Sequence, residues 1–313
     1  MIDDPSKKHP IYGTFLFIYS STFFILDLIC LAALLDNKLR HFNGIRIMTA
    51  ISMCEVINIF PGGIIPGILA FKGHIYCSNV TLSYFHGQST LLFYILTCCY
   101  AVLLSVNRCL AIAYPRLEAR MFDGAKVFIW IGIILVYNVY FFFTTTTIFF
   151  GSKSAHFLYN PYFGYPFKDD GENQNSWQYY SNYITAFFVL FTYLTFAGFY
   201  LHVRKQTNKM SFSGQKTDCT KSIFASVFIN AIILCFSNTT YNIIKDMEVN
   251  DVFYRISLVA AIAVEGMNSV VYYILNPTIR GIVQDFKIFK IMKFYKVAPV
   301  HKVTIVVSKN SVK

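Results

Sequence analysis

Charge is scarce in this chain. Of its 313 residues, 14% are Asp, Glu, Lys or Arg and 55% are hydrophobic, with a mean hydropathy of +0.49. A soluble domain carries about 25% charged residues, so this balance excludes an ordinary soluble globular protein. Catalytic signatures are missing as well. There is no phosphate-binding glycine loop, no His-Glu-x-x-His, no Cys-x-x-Cys and no nucleophile elbow, which leaves an enzymatic reading without support and calls for no cofactor or metal. Repeats of the kind found in transporters are not evident. Cysteine is sparse where a disulfide would need it: Cys77 falls in a loop between apolar runs, but the long loop Gly151–Asn182 has no cysteine to pair with it. No cysteine follows Cys235, so the tail offers no site for palmitoylation.

What is abundant is apolar sequence in long runs. Seven stretches, roughly Tyr12–Leu35, Ile45–Phe71, Leu82–Val106, Val127–Phe150, Tyr183–Val203, Ser222–Ile244 and Tyr254–Leu275, each reach membrane-spanning length. A hydrocarbon core of about 30 Å needs about 20 residues of helix at 1.5 Å rise each. In lipid the backbone must satisfy itself, which makes such runs helices. The fold expected is therefore all-α, a bundle of seven transmembrane helices over residues 1–277. A cytoplasmic basic tail, 278–313, follows it. Within that tail Thr278–Lys296 alternates apolar residues with Lys287, Lys290, Lys293 and Lys296, as an amphipathic helix lying on the membrane surface would. The polar first ten residues precede a retained first helix, not a cleaved signal.

Basic residues set the orientation. Twenty of the 27 Lys and Arg lie on the side that faces the cytoplasm if residues 1–11 are extracellular. The positive-inside rule then places the N-terminus outside and the C-terminus inside. Acidic residues outside the spans concentrate on the other side, as in Asp169-Asp170-Gly171-Glu172. The net charge of +11 is thus mainly a topology signal and needs no nucleic acid.

Several residues stand out. Arg108, after Asn107 at the cytoplasmic mouth of the third span, is placed to contact a partner protein or to pin the bundle shut; a snorkelling anchor is the plainer alternative. Asp27, Glu55 and Glu265 lie inside spans at similar depths with no Lys or Arg deep enough to pair with them. Intramembrane carboxylates usually face the bundle interior. They must be protonated, bonded to amides such as Asn58 and Asn268, or sharing water or a cation. Either a polar switch core or a structural hydrogen-bond knot follows. For a ligand cavity among the outer helix halves, the candidates are Tyr84 and Gln88 on one face of the third span and His86 on another. Thr144–Thr147 and the run Ser237-Asn238-Thr239-Thr240-Tyr241 add hydroxyls and amides, which serve interhelix packing equally well. No charge sits high in the third span, which favours a small neutral cue over an amine. Asn79-Val80-Thr81 is a glycosylation sequon on the outer side.

The stretch Asn107-Arg108-Cys109 resembles the Asp/Glu-Arg-Tyr region of rhodopsin-like receptors, and Asn276-Pro277 resembles the start of their Asn-Pro-x-x-Tyr motif. Asn107 replaces the acidic residue, and Arg280 stands where the tyrosine would be. A closer match runs through Gly67-Ile-Leu-Ala-Phe-Lys72-Gly-His-Ile-Tyr-Cys77, Asn107-Arg108-Cys-Leu-Ala-Ile, Asn160-Pro161-Tyr-Phe-Gly164 and Leu275-Asn276-Pro277-Thr-Ile-Arg280. These segments, in this order and spacing, resemble the nematode chemoreceptors called serpentine receptor class T. That resemblance implies a chemosensory receptor in the plasma membrane, with a sensory cilium as its expected site. It would bind a small molecule and act on a heterotrimeric G protein, with Arg108, Asn107, Asn276 and Pro277 as switch residues. The rival classes are a ligand-gated cation channel or transporter that uses the buried carboxylates, and a non-signalling pseudo-receptor.

Overall fold

The computed structural model describes residues 5–163, 176–207, 228–229, 232–244 and 250–286. Pro10 opens α1 (Pro10–Leu34) at a position where its missing N–H costs nothing. The second span is α2 (Asn43–Ile59), a π-helical turn Phe60–Ile64 and α3 (Ile65–Lys72). Pro61, Gly62, Gly63 and Pro66 disturb the backbone ladder without ending the rod, because neighbours satisfy what is freed: the Pro61 carbonyl receives the His86 ring N–H at 2.6 Å. Gly73, at φ 77°, closes α3 in the left-handed conformation that favours glycine.

Asn79 caps α4 (Val80–Ala113), its Oδ1 accepting from the Leu82 N–H at 3.0 Å. Then come α5 (Pro115–Phe122), α6 (Lys126–Thr144), α7 (Ser176–Thr207), α8 (Ile232–Ile244) and α9 (Asp251–Leu275). The Asn276 carboxamide caps α10 (Pro277–Asp285), accepting from Thr278 and Ile279 N–H at 3.0 and 3.2 Å. Asn276-Pro277 is thus the corner between two helices. Ile279, Ile282 and Val283 bury one face of α10, which packs on α1. The remainder of the surface helix expected over Thr278–Lys296 lies outside the described residues, as does residue 222 at the start of the sixth run.

The fourth apolar run departs from expectation. Helix α6 stops at Thr144, and Phe149–Gly151 (β1) instead pairs antiparallel with His156–Leu158 (β2), Phe150 opposite Phe157. Hydrophobicity alone does not separate a buried hairpin from a buried helix. The break falls at Thr144–Thr147, where β-branched side chains weaken the helix and Thr144 and Thr145 hydroxyls turn back to carbonyls at i−4. Ser152 then fastens the hairpin to the bundle, donating its N–H to His74 O at 3.2 Å and its hydroxyl to Leu69 O at 3.1 Å.

Among the described residues two large apolar clusters fill the interior, beside a small one of Cys98, Leu234 and Val264. One, around Leu16, Phe23, Ile59, Leu91, Phe150 and Leu258, lies toward the hairpin end; the other, around Leu34, Ile47, Met48, Leu103 and Ile279, lies toward the Arg108 end. In α1, α2 and α9 the carboxylates fall between them. The outward faces are also apolar: Phe128, Ile133, Val136 and Phe143 on α6, and Phe187, Phe191 and Leu194 on α7, are exposed. A bundle that is apolar outside and polar at mid-depth is built for lipid. Among the described residues five helical rods are long and apolar enough to cross a bilayer, and α7 and the 13-residue α8 stand in the remaining two places.

Candidate functional site

The chemistry gathers at three levels. At the hairpin end a cavity of about 60 Å³ opens between α4, α8, α9 and the hairpin. Thr90, Leu91 and Tyr94 form its α4 wall, Ile148, His156 and Phe157 its lid, Ser237 and Tyr241 its α8 wall, and Ser257, Leu258 and Ala261 its α9 wall. The Tyr94 hydroxyl donates to Asn238 Oδ1 at 2.6 Å. His156 Nδ1 lies 2.7 Å from the Phe157 carbonyl, and burial, the dominant effect, pulls the ring's pKa down to about 4. The ring is therefore neutral at physiological pH.

The expected cavity residues mostly border this space without entering it. Tyr84 is 42% exposed and points away. His86 is buried, but its N–H is spent on Pro61. The Gln88 amide donates to the Phe142 carbonyl, tying α4 to α6. Thr240 turns back to Phe236 O at 2.7 Å. Asn238 reaches the cavity only through Tyr94. In the hydroxyl-rich run it is Ser237 and Tyr241, one helical turn apart, that face inward. Tyr94, Ser257 and above all His156 were not singled out from sequence. A loop histidine brought over the bundle by a three-residue strand leaves no periodic signal.

At mid-depth the structure brings the carboxylates and their neighbours together. Ser269 donates to Asp27 Oδ1, joining α9 to α1, and Asn268 donates to Glu55 Oε1, joining α9 to α2. Glu265 is buried beside Asn58, yet neither of its carboxylate oxygens has a hydrogen-bond partner of good geometry, and Asp27 Oδ2 and Glu55 Oε2 are also unpaired. Buried unpaired oxygens are costly, so this layer is a place of residual polarity inside an otherwise apolar bundle.

At the far end, the Arg108 guanidinium packs on Gly44, where a Cβ would sit 2.8 Å from its central carbon, and one nitrogen reaches Met48 Sδ at 3.5 Å. Asn107 replaces the usual acidic neighbour, but a carboxylate is still present. Glu118 on α5 accepts from the Asn107 amide at 2.8 Å and the Asn43 amide at 3.3 Å. This knot ties α2, α4 and α5, and its carboxylate lies eleven residues downstream of the motif. Asn79, the sequon residue, is exposed but already serves as a helix cap. Cys77 is exposed and free.

These features define a class: a seven-helix membrane receptor fold, with a lidded cavity at one end and an Asn-Arg pair at the other. The crystal structure of squid rhodopsin has the same fold, with a TM-score of 0.71 over 95% of this chain and 90% of that one, at 12% sequence identity. The chain belongs to the serpentine receptor class T family, matching its profile, described as serpentine type 7TM GPCR chemoreceptor Srt, over residues 1–296. It is 23% identical to serpentine receptor class T-55 of Caenorhabditis elegans over 255 residues, which are 79% of this chain. The matched region spans about 65% of that relative's length. The family is one of multi-pass membrane receptors, not of enzymes.

Proposed function

We propose that this protein is a chemosensory receptor that binds a small molecule in the hairpin-end cavity and promotes nucleotide exchange on a heterotrimeric G protein at the Arg108 end. The observation that carries the reading is the continuity of α4. Thr90, Leu91 and Tyr94 form a cavity wall, and Asn107 and Arg108 follow on the same helix, with Tyr94 and Arg108 separated by about 21 Å of helical rise. The basic-residue asymmetry supports placing the cavity outside and Arg108 in the cytoplasm, and membership of the chemoreceptor family supports the plasma membrane of a sensory cell.

Arg108 is occupied by Gly44 and Met48 in this arrangement, and Asn107 by Glu118. Coupling would require α2, α4 and α5 to part. A ligand drives that change only by binding the parted arrangement more tightly. Asp27 and Glu55 each spend an oxygen on α9, which speaks for an interhelix knot over a conduction path. Nucleotide exchange in lipid nanodiscs, with a panel of G proteins, tests the reading. Arg108→Ala is expected to lower exchange by at least tenfold while leaving the fold intact. Equal exchange by folded wild type and variant would refute the role of Arg108, and ionic current without a G protein would favour a channel.

A further inference from the structure

We infer that the cavity selects a small neutral alcohol of about four to six non-hydrogen atoms, with His156 Nε2 accepting the hydrogen bond from its hydroxyl. The inference rests on the reading of this cavity as the ligand site and names the chemistry it would recognise.

Proton bookkeeping carries it. The partner of His156 Nδ1 is a carbonyl, which cannot donate, so the proton sits on Nδ1. A neutral imidazole has one N–H, and Nε2 is left as a lone-pair acceptor. Among the described residues nothing meets that nitrogen. The ring is held between Tyr241 and Tyr254, at centroid distances of 5.9 and 6.1 Å, so the acceptor is fixed in place.

Protons elsewhere on the wall are already committed. Thr90 donates to His86 O, and Tyr94 donates to Asn238. With Tyr94's proton so used, the 3.4 Å contact between Ser237 and Tyr94 runs from Ser237 to Tyr94. Ser257 keeps a rotatable hydroxyl able to serve either way, while the Tyr241 hydroxyl is shared with that of Tyr159. A ligand that only accepts, such as an ether or ketone, leaves Nε2 desolvated and unpaired. An alcohol can donate to Nε2 and accept from a rotatable hydroxyl at once.

Charge and size narrow the class. Among the described residues no Asp, Glu, Lys or Arg lines the cavity, so an ionic ligand would lose its hydration without compensation from them. By the measure in which one water takes about 10–15 Å³, the space holds about four to six water-sized groups.

The test is direct binding without any G protein. Wild type and His156→Phe in nanodiscs are titrated with butan-1-ol, 1-methoxypropane and butan-2-one by ligand-observed NMR. Wild type is expected to prefer the alcohol about threefold to tenfold over the other two, the ratio that one net hydrogen bond produces. In His156→Phe the preference should vanish while ether binding stays within about twofold, because a phenyl ring preserves packing and removes the acceptor, with the Nδ1–H bond to the adjacent Phe157 carbonyl, which does not face the ligand, going with it. Equal binding of all three by wild type, no binding to folded wild type, or an unchanged preference in the variant would overturn the assignment. Should His156→Phe misfold, ¹⁵N-histidine spectra of wild type decide. The alcohol alone should shift the Nε2 resonance; a shift with the ether, or none with the alcohol, overturns it. Alcohol preference without nucleotide exchange would leave the ligand class standing and remove the receptor reading. Exchange driven by a charged or acceptor-only compound would do the reverse.

Discussion

Gly87→Ala is expected to abolish ligand-stimulated exchange. A Cβ at Gly87 would overlap the Ile148 carbonyl oxygen and sit 2.8 Å from its carbon. Both are backbone atoms of the segment leading into the hairpin, so no side-chain rotation relieves the clash. The lid must move, and with it Ile148, His156 and Phe157, which close the cavity. Overpacking of this kind costs about 1–3 kcal/mol and displaces backbone. The bundle beneath, held by its own helix contacts, should remain helical by circular dichroism while the ligand response falls more than about tenfold, the equivalent of 1.4 kcal/mol. Gly132→Ala is the matched control, since nothing lies within 4 Å of a Cβ there. A normal response from Gly87→Ala would mean that the lid's seat on α4 is not part of the site.

The second large effect is expected at mid-depth. Glu55→Leu removes the acceptor of the Asn268 amide and leaves that half-buried amide without a partner. An orphaned polar group of this kind costs about 1–3 kcal/mol. Glu55→Gln keeps an oxygen in the same place and should stay within about 1 kcal/mol of wild type. Chemical unfolding in matched detergent, followed by loss of helicity, measures both. If Leu and Gln behaved alike, the contact between α2 and α9 would carry no stability and the layer would need a different explanation.

Much of this architecture was legible in the sequence because lipid imposes simple rules. Long apolar runs mark helices, and carboxylates at matching depths mark an inward-facing polar layer. Asp27 and Glu55 do meet α9, at Ser269 and Asn268. The helical corner at Asn276-Pro277 shows why such a pair recurs at a helix boundary: an amide to cap and a ring that needs no N–H.

What was not legible depends on rotation and on tertiary folding back. Tyr84 and Gln88 share a face by spacing, yet one is exposed and the other buried, because a span of 34 residues changes surroundings along its length. Phe149 and Phe150 read as the end of a helix because their burial, not their backbone, sets their hydrophobicity. Glu118 gave no hint that it supplies the carboxylate missing before Arg108. It is near that motif only because α5 turns back on α4.

The most direct test of the whole account is a plug in the cavity. Ala261 lines it from α9, and Ala261→Phe would fill much of its roughly 60 Å³ without touching Arg108. Nucleotide exchange in nanodiscs, with and without pooled small neutral volatiles, is compared between wild type and Ala261→Phe. Stimulated exchange is expected to disappear in the plugged variant while unstimulated exchange persists. Full stimulation of a folded Ala261→Phe protein would contradict it, because the cue would then be acting somewhere other than this cavity.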